Sequence, residues 1–366
     1  LRDYNYDGIF VILDLGAFAP IMPALNLCMK IKMGKGHKRP LSILYFPVDG
    51  MMHARVLNES ITKQDIANDK TGTKEFVKSA FTSQFDALSF FSVVVTYTEF
   101  GRTEVLKHKP DLKDLLGVAY HGINTSDFRP LDEQDRLKFR RKYFGDNSGK
   151  YIIGNINRNQ PRKDIPTTIF GFIEAKKNWD KSMPAPFLYL HMDPADPNGW
   201  KLRNLLSLTD LVENRDYMFP KYADDNSQVD IETLNKIYNS LDVYITTSRG
   251  GGWELSVTEA MACKIPVIIP KHTSMAEIGK DGRTYLLEEF LPVSDITDNQ
   301  WRQMCHFEEV SEKIIESATA LYNKESDLFA VRNLQIENAF EWIRQLTWDK
   351  ICRENWCYYF RTLYNL

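Results

Sequence analysis

The chain has 366 residues, enough for two domains of ordinary size, and 43% of them are apolar, enough to build two cores. A net charge of −3 excludes the basic excess that is typical of proteins that bind nucleic acid or an anionic membrane. The five cysteines are scattered without CxxC spacing, which favours reduced thiols and a cytoplasmic location. Because no run of 18 apolar residues occurs, we expect no transmembrane segment, and only peripheral contact with a membrane stays open.

Strand-like and helix-like segments alternate in the first third of the chain. Continuous apolar runs of strand length occur at 7–13, 41–46, 93–97 and 117–120. Helices are predicted between them at 21–32 and 74–91. This alternation indicates a parallel sheet covered by helices, which is an α/β fold.

Asp49 follows the predicted strand at 41–46. The carboxyl edge of a parallel sheet is where α/β proteins bind ligands, so this carboxylate is a candidate functional group. Asp49 is also followed by Gly50, and Asp-Gly is a common turn pair, so a turn residue is the alternative.

The alternation continues after a strongly charged helix at 131–143, which is most simply a solvated face and is predicted to mark the domain boundary. A strand at 151–155 leads into a loop that carries Arg158 and Lys163, just before a helix that opens near Ile165. Two cations beside a helix N-terminus form a suitable site for an anion. A basic surface loop is the alternative.

Asp193 and Asp196 follow a predicted strand at 187–191. Carboxylates that lie close together bind divalent cations. Here Pro194 lies between the two aspartates and gives a poor ligand geometry. We therefore predict a structural turn at this loop and no metal site.

The most informative stretch is 248–270, with the sequence SRGGGWELSVTEAMACKIPVIIP. A short strand is predicted before it at 241–247, a helix at 256–263 and a second buried strand at 265–269, which together form a βαβ unit. Three glycines at 250–252 would let the backbone of the first loop approach a ligand closely. Glu259, early in the helix, would lie near whatever binds there.

This stretch resembles the signature of GT-B glycosyltransferases of the large retaining family 4, in which a loop of the type EGFGLPxxEAMACGxPVI grips a nucleotide sugar. The match includes Trp253, Leu255 and the run EAMAC at 259–263. Arg158 and Lys163 stand where the family has its G-R…K-G pair. The resemblance extends from about residue 7 to the C-terminus and is most specific at 151–282.

The resemblance implies a GT-B fold with two Rossmann-like, doubly wound parallel-sheet domains that face a cleft. Residues 1–130 would form a partial acceptor-side domain, residues 131–345 the nucleotide-sugar-binding domain, and residues 346–366 a helix that packs back on the first domain. A family member normally carries a further strand and a glycine-rich loop before the strand at 7–13. We therefore expect the first domain to be incomplete.

The resemblance also implies which residues hold the donor. Arg158 and Lys163 would bind the diphosphate, Glu259 would bind the ribose hydroxyls, and the loop would meet the phosphate or the sugar through Gly252, Trp253 and Leu255. Fixed cations can stabilise a diphosphate leaving group without a metal, so we expect neither a metal nor a cofactor. Asp49 and Glu254 are the candidate catalytic residues.

The implied activity is transfer of a sugar from a nucleoside diphosphate sugar to a glycan, lipid or protein acceptor, with retention of anomeric configuration. GT-B architecture also serves sugar-nucleotide epimerases and phosphorylases, and a fold alone does not separate these chemistries. A third alternative is a non-catalytic protein that binds a nucleotide sugar or joins an assembly. The third alternative is motivated by the incomplete first domain and by Gly251, which stands where the family has an acid.

Glu254 stands where the family has a glycine, three residues after Gly251. The Glu254 carboxylate could replace the missing acid and accept hydrogen bonds from donor-sugar hydroxyls. It could instead face solvent or serve a structural role. It could also block or reshape the donor site, because a glycine at this position lets the backbone pass close to the ligand.

Overall fold

The structure is a computed structural model that describes residues 8–12, 41–50, 88–89, 91–220, 229–294 and 301–364. The helix predicted at 21–32 and all but the end of the one predicted at 74–91 lie outside the described residues. The described residues fall into two compact units. One lies within Leu1–His121, Ser294–Trp301 and Ile351–Leu366, and the other within Gly122–Val293 and Arg302–Lys350.

A four-stranded parallel sheet forms the centre of the first unit, with the strand order β1-β2-β3-β4. The strands are β1 (Gly8–Ile12), β2 (Leu41–Phe46), β3 (Val93–Thr96) and β4 (Leu116–Val118). All four residues of β3 are buried, as expected for a parallel strand covered on both faces. Helix α1 (Glu99–His108) follows β3, and Thr98 caps its N-terminus by accepting a hydrogen bond from the Gly101 N–H.

A six-stranded parallel sheet forms the centre of the second unit. Its strands are β5 (Tyr151–Ile156), β6 (Pro186–His191), β7 (Tyr217–Met218), β8 (Val243–Ile245), β9 (Val267–Pro270) and β10 (Tyr285–Leu287). Their order across the sheet is β10-β9-β8-β5-β6-β7. The chain winds outward from β5 in one direction and from β8 in the other, so the topological switch point lies between these two strands.

Helices cover both faces of this sheet. They are α2 (Glu133–Phe144), α3 (Ile165–Lys177), α4 (Leu202–Ser207), α5 (Ile231–Asn239), α6 (Leu255–Ala262), α7 (Thr273–Ile278), α8 (Phe307–Tyr322) and α9 (Asp327–Ile343). Successive residues of β5 enter different cores, since Ile153 packs in a cluster with Phe172 and Ile152 in one with Met261. Between β10 and α8, β11 (Phe290–Ser294) and β12 (Trp301–Cys305) form a separate two-stranded sheet.

The C-terminal segment consists of α10 (Trp348–Ile351), a π-helical turn (Cys352–Trp356) and α11 (Cys357–Tyr364). Within the first unit, the Trp356 ring meets the rings of Phe10 and Tyr45 edge-on, at centroid distances of 5.0 and 4.8 Å. The Tyr359 hydroxyl donates to the Val118 carbonyl oxygen at 2.9 Å. Among the described residues, no helix has the length and apolar character needed to cross a membrane.

Arg140 on α2 is a buried cation, so the expectation that this charged helix is simply a solvated face is wrong for this residue. Its guanidinium donates to both carboxylate oxygens of Asp242, at 2.8 and 3.0 Å. It also donates to three backbone carbonyl oxygens, those of Ser148, Lys150 and Ser240. Asp242 in turn accepts from the Ile152 N–H at 2.7 Å, so this pair fixes α2 against the starts of β5 and β8.

Removal of Arg140 should strongly destabilise the second unit. Arg140→Met leaves Asp242 without its cation in a largely buried position, which should cost about 3–5 kcal/mol in the free energy of unfolding. The control is Arg136→Met on the same helix, whose partner Glu133 is 67% exposed. The control should lose less than about 1 kcal/mol. Chemical denaturation of the full chain would contradict this account if both variants lost the same stability.

Candidate functional site

The candidate site lies at the carboxyl ends of β5 and β8, on either side of the switch point. Because the two strands are hydrogen-bonded neighbours, the loops that follow them, 157–164 and 246–254, begin side by side. Their helices leave toward different strands, so the chain diverges at this edge of the sheet. This divergence is the usual origin of ligand cavities in open α/β sheets.

The two loops are joined by hydrogen bonds in both directions. Arg249 N–H donates to the Arg162 carbonyl oxygen at 2.8 Å, and the Arg162 guanidinium donates to the Gly250 carbonyl oxygen at 2.7 Å. The Thr247 hydroxyl donates to the backbone of Asp164 at 2.8 Å, and Arg249 pairs with the Asp164 carboxylate at 2.9 Å. Both loops therefore form one network.

The start of α7, which follows β9, supports the glycine turn from the other side. The Gly251 N–H donates to the Thr273 hydroxyl at 3.2 Å, and the Ser274 N–H donates to the Gly251 carbonyl oxygen at 3.3 Å. Thr273 has φ of 51°, a left-handed conformation that costs energy for a β-branched residue. Strain at a residue that supports a loop is typical of functional sites.

A cavity of about 430 Å³ opens between these loops. Residues from β5, β6, α5, α6 and the two loops line it. They are Ile156, Asn157, Arg158, Lys163, His191, Leu234, Tyr238, Trp253, Glu254, Leu255, Ser256 and Glu259. Its size is within the range of small-molecule sites.

Six of the residues predicted from the sequence meet at this cavity. They are Arg158, Lys163, Trp253, Glu254, Leu255 and Glu259. Gly252 is buried in the same loop but does not line the cavity. Asp49 lies in the first unit, just after β2, where it is partly buried.

Glu254 and Lys163 form an ion pair at the side of the cavity. The Glu254 side chain is 1% exposed, so it does not face solvent. One carboxylate oxygen accepts from the Lys163 ammonium. The other lies 3.3 Å from the Ser248 hydroxyl and 3.6 Å from the Arg162 guanidinium.

The Glu254 carboxylate fills the space beside Gly251. A Cβ atom placed on Gly251 would lie 2.2 Å from the nearer carboxylate oxygen, far inside van der Waals contact. Glu254 precedes the first residue of α6 but makes no side-chain hydrogen bond to the start of that helix. The carboxylate is thus directed across the glycine turn rather than onto its own helix.

Glu259 is held from the opposite side by Tyr238 of α5. The fully buried tyrosine donates its hydroxyl proton to the Glu259 carboxylate at 2.6 Å. Burial raises the pKa of Glu259, and the hydrogen bond from Tyr238 partly opposes that rise. A carboxylate with one oxygen fixed in this way is well placed to accept a hydrogen bond from a ligand.

Arg158 is 60% exposed and borders the cavity, and its Nε donates to Asp196 at 2.8 Å. Asp196 also accepts from the Asn198 N–H at 2.9 Å, as a turn residue does. Asp193 similarly accepts from the Ala195 N–H at 2.7 Å. Among the residues that the structure describes, no group of three or more His, Cys, Asp or Glu side chains could hold a metal ion.

Sequence reasoning missed a group of hydrogen-bonded polar residues at the cavity. The Asn157 amide donates to Asn155 at 2.9 Å and to the Tyr244 hydroxyl at 3.1 Å, and Tyr244 lies 2.7 Å from the Ser256 hydroxyl. Both Asn157 and Ser256 also line the cavity. The only signal in the sequence was that asparagines end a predicted buried strand, where apolar residues are expected.

His272, the buried residue just before α7, directly precedes Thr273, which supports the glycine turn. Burial lowers its pKa to about 4, and the positive charge of Arg302 adds to this effect. Its Nε2 has no hydrogen-bond partner among the described residues, and the Phe290 ring meets its imidazole edge-on at 5.0 Å. His272 is therefore neutral at pH 7.

Comparison with known proteins supports the sequence resemblance in its most specific region. A sequence model of the domain family Glycosyl transferases group 1 matches residues 221–298, which include β8, α6 and β9. A probable sucrose-phosphate synthase of Thermosipho melanesiensis is 28% identical over 207 residues. That match covers 54% of this chain and 43% of the relative, so the chain spans less than half the length of this curated protein.

Solved structures resemble nearly the whole chain at low sequence identity. Sucrose-phosphate synthase from Thermosynechococcus elongatus gives a TM-score of 0.60 at 15% identity, over 98% of this chain and 74% of that one. Anabaena HepE, in complex with UDP and glucose, gives 0.61 at 15% identity, over 94% of this chain and 76% of that one. These likenesses confirm the predicted α/β fold of the GT-B type.

Acidification should destabilise the protein partly through His272. The pKa of His272 in the folded protein, about 4, lies below the usual value of 6.5. As the pH falls, the unfolded chain therefore binds a proton at this residue before the folded protein does. The stability contributed by neutral His272 is complete above pH 6.5 and is lost as the pH falls toward 4. In this window the wild type should lose up to about 1.4 kcal/mol per pH unit more than His272→Phe, which keeps an aromatic ring but binds no proton. Denaturant titrations at several pH values measure the free energy of unfolding of both proteins. Equal losses in the wild type and in His272→Phe between pH 6.5 and pH 4 would contradict the expectation.

Proposed function

We propose that this GT-B protein is a glycosyltransferase that transfers a sugar from a nucleoside diphosphate sugar to an acceptor with retention of anomeric configuration. The observation that carries the proposal is the cavity at the switch point, where Lys163, Glu259 and the N-terminus of α6 come together. The domain-family match at 221–298 covers two of these three features.

The diphosphate would bind where positive charge is concentrated. Lys163 and Arg158 border the cavity and would take the two phosphates. The first hydrogen bonds of α6 are donated by Val257 and Thr258 to the Glu254 carbonyl oxygen. The backbone N–H groups of Leu255 and Ser256 precede these bonds and would add donors to the same anion. As the glycosidic bond breaks, the leaving diphosphate gains negative charge, which these fixed groups would stabilise.

The nucleoside and the sugar would bind on either side of the diphosphate. Glu259, fixed by Tyr238, would accept hydrogen bonds from the ribose hydroxyls. Trp253 and the backbone at Gly252 would contact the donor. Asp49 and Glu254 remain the residues that the sequence predicts to be catalytic, and Glu254 would act through Lys163, which its carboxylate contacts. HepE was crystallised with UDP and glucose, which makes UDP the first nucleotide to test here.

We further propose that the reaction takes place in the cytoplasm. Four described cysteines, Cys263, Cys305, Cys352 and Cys357, are free thiols, which suits a reducing compartment. The acceptor is a glycan, a lipid or a protein. Incubation of the protein with a nucleotide sugar alone separates the rival chemistries, because an epimerised sugar would indicate an epimerase. Release of a sugar phosphate in phosphate buffer would indicate a phosphorylase.

The assignment of Lys163 predicts a selective loss of phosphate affinity. Lys163→Met should weaken UDP binding by about 2–5 kcal/mol, because a charged hydrogen-bond donor to the diphosphate is removed. Uridine, which lacks the phosphates, should bind as before. The control is Lys177→Met, a 65% exposed lysine on α3 that does not line the cavity, and it should change neither affinity.

Isothermal titration calorimetry of both ligands with both variants measures this difference. Melting temperatures establish that each variant is folded. If Lys163→Met weakened uridine and UDP binding equally, Lys163 would not be the diphosphate ligand.

Transfer should proceed without a divalent metal. Arg158, Lys163 and the start of α6 supply the positive potential that a metal would otherwise provide at the leaving group. Turnover of a nucleotide sugar with its acceptor should therefore be unchanged by EDTA. Loss of turnover in EDTA, with recovery on addition of magnesium or manganese, would show that this proposal is wrong.

A further inference from the structure

The position of the Glu254 side chain excludes a solvent-facing role and a role in capping α6. Solvent does not reach its side chain, and it makes no side-chain hydrogen bond to the start of α6. Its contacts are with Lys163, Arg162 and Ser248, which belong to the two loops that border the cavity. The carboxylate therefore acts on the cations of the site.

The contact between Glu254 and Lys163 requires a residue without a side chain at position 251. Any side chain at 251 would begin 2.2 Å from the Glu254 carboxylate and would push it away from Lys163. The backbone of Gly251 is also fixed, since it is hydrogen-bonded to Thr273 and Ser274 on both its N–H and its carbonyl oxygen. The turn cannot easily shift to make room, so the absence of a Cβ atom provides the space.

We propose that Gly251 and Glu254 act as one unit, in which Glu254 is the positioning residue that holds the Lys163 ammonium at the phosphate side of the cavity. The inference rests on the proposed function of this cavity. A lysine side chain has four rotatable bonds and loses much conformational freedom when it is fixed by a ligand. An ion pair that fixes the ammonium beforehand removes this cost from the binding step.

A carboxylate that competed with the phosphate would have the opposite effect on UDP affinity. If Glu254 occupied the place of a phosphate, the diphosphate would have to displace it, and removal of its charge would tighten binding. If Glu254 positions Lys163, removal of its charge releases the ammonium and weakens binding. The sign of the change in UDP affinity therefore distinguishes the two roles.

Two single variants test the roles of Glu254 and Gly251 separately. Glu254→Gln removes the charge and keeps the shape, whereas Gly251→Ala keeps the charge and displaces the carboxylate. Each should weaken UDP binding about tenfold or more and leave uridine binding unchanged. Gly149→Ala, at a glycine with open space around it and outside the cavity, is the matched control and should behave as the wild type.

A double variant tests whether the two positions act together. Gly251→Glu combined with Glu254→Gly returns one carboxylate to the same space from the other side of the turn, and should restore UDP affinity to within about threefold of the wild type. Titration calorimetry gives the affinities, and melting temperatures establish folding. A residue with a purely structural role would lower the melting temperature without separating UDP from uridine.

The outcomes separate the inference from the function on which it rests. Tighter or unchanged UDP binding by Glu254→Gln would overturn the positioning role and leave the proposed function intact. Failure of the folded double variant to recover would overturn the claim that the two positions act as one unit. If the wild type itself bound none of UDP, GDP and ADP, the proposed function would fail and the inference with it.

Discussion

The strand order of the second unit is the constraint on which the candidate site depends. β5 has β6 on one side and β8 on the other. The loops that follow β5 and β8 therefore start side by side, and the chain then continues toward β6 from one loop and toward β9 from the other. The ion pair between Arg140 and Asp242 fixes the amino ends of the same two strands. The carboxyl ends can then carry loops with concentrated charge and with a left-handed residue, Asp164 at φ of 47°, because the sheet beneath them is held in place.

Charge in the cavity is distributed so that each cation has a defined partner. Lys163 pairs with a buried carboxylate, whereas Arg158 pairs with Asp196 in a more exposed position. A buried ion pair needs accurate geometry to offset the loss of hydration, and the contacts of Glu254 with Ser248 and Arg162 contribute to that geometry. On the opposite side, burial keeps Glu259 less acidic than usual and Tyr238 fixes its direction.

Much of the fold was predictable because apolar runs of strand length report burial on both faces. β2 was predicted with the observed bounds, and the βαβ unit around α6 was found to within two residues. β11 and β12 were not predicted, because most of the residues of β11 are exposed and the strand contains Pro292. The motif spacing predicted that Lys163, Glu254 and Glu259 lie near one ligand. It could not predict the partners of Arg140 or of Glu254, since contacts between distant segments depend on the completed sheet.

The overlap between positions 251 and 254 also restricts how this loop can evolve. Each position can hold a carboxylate only if the other leaves the space beside the turn empty. A chain with acids at both positions would place two like charges in one buried space, and a chain with acids at neither would leave Lys163 without its anion. The effect of a substitution at either position therefore depends on the residue at the other. Through this epistasis, we expect the two positions to have changed together during the descent of the protein.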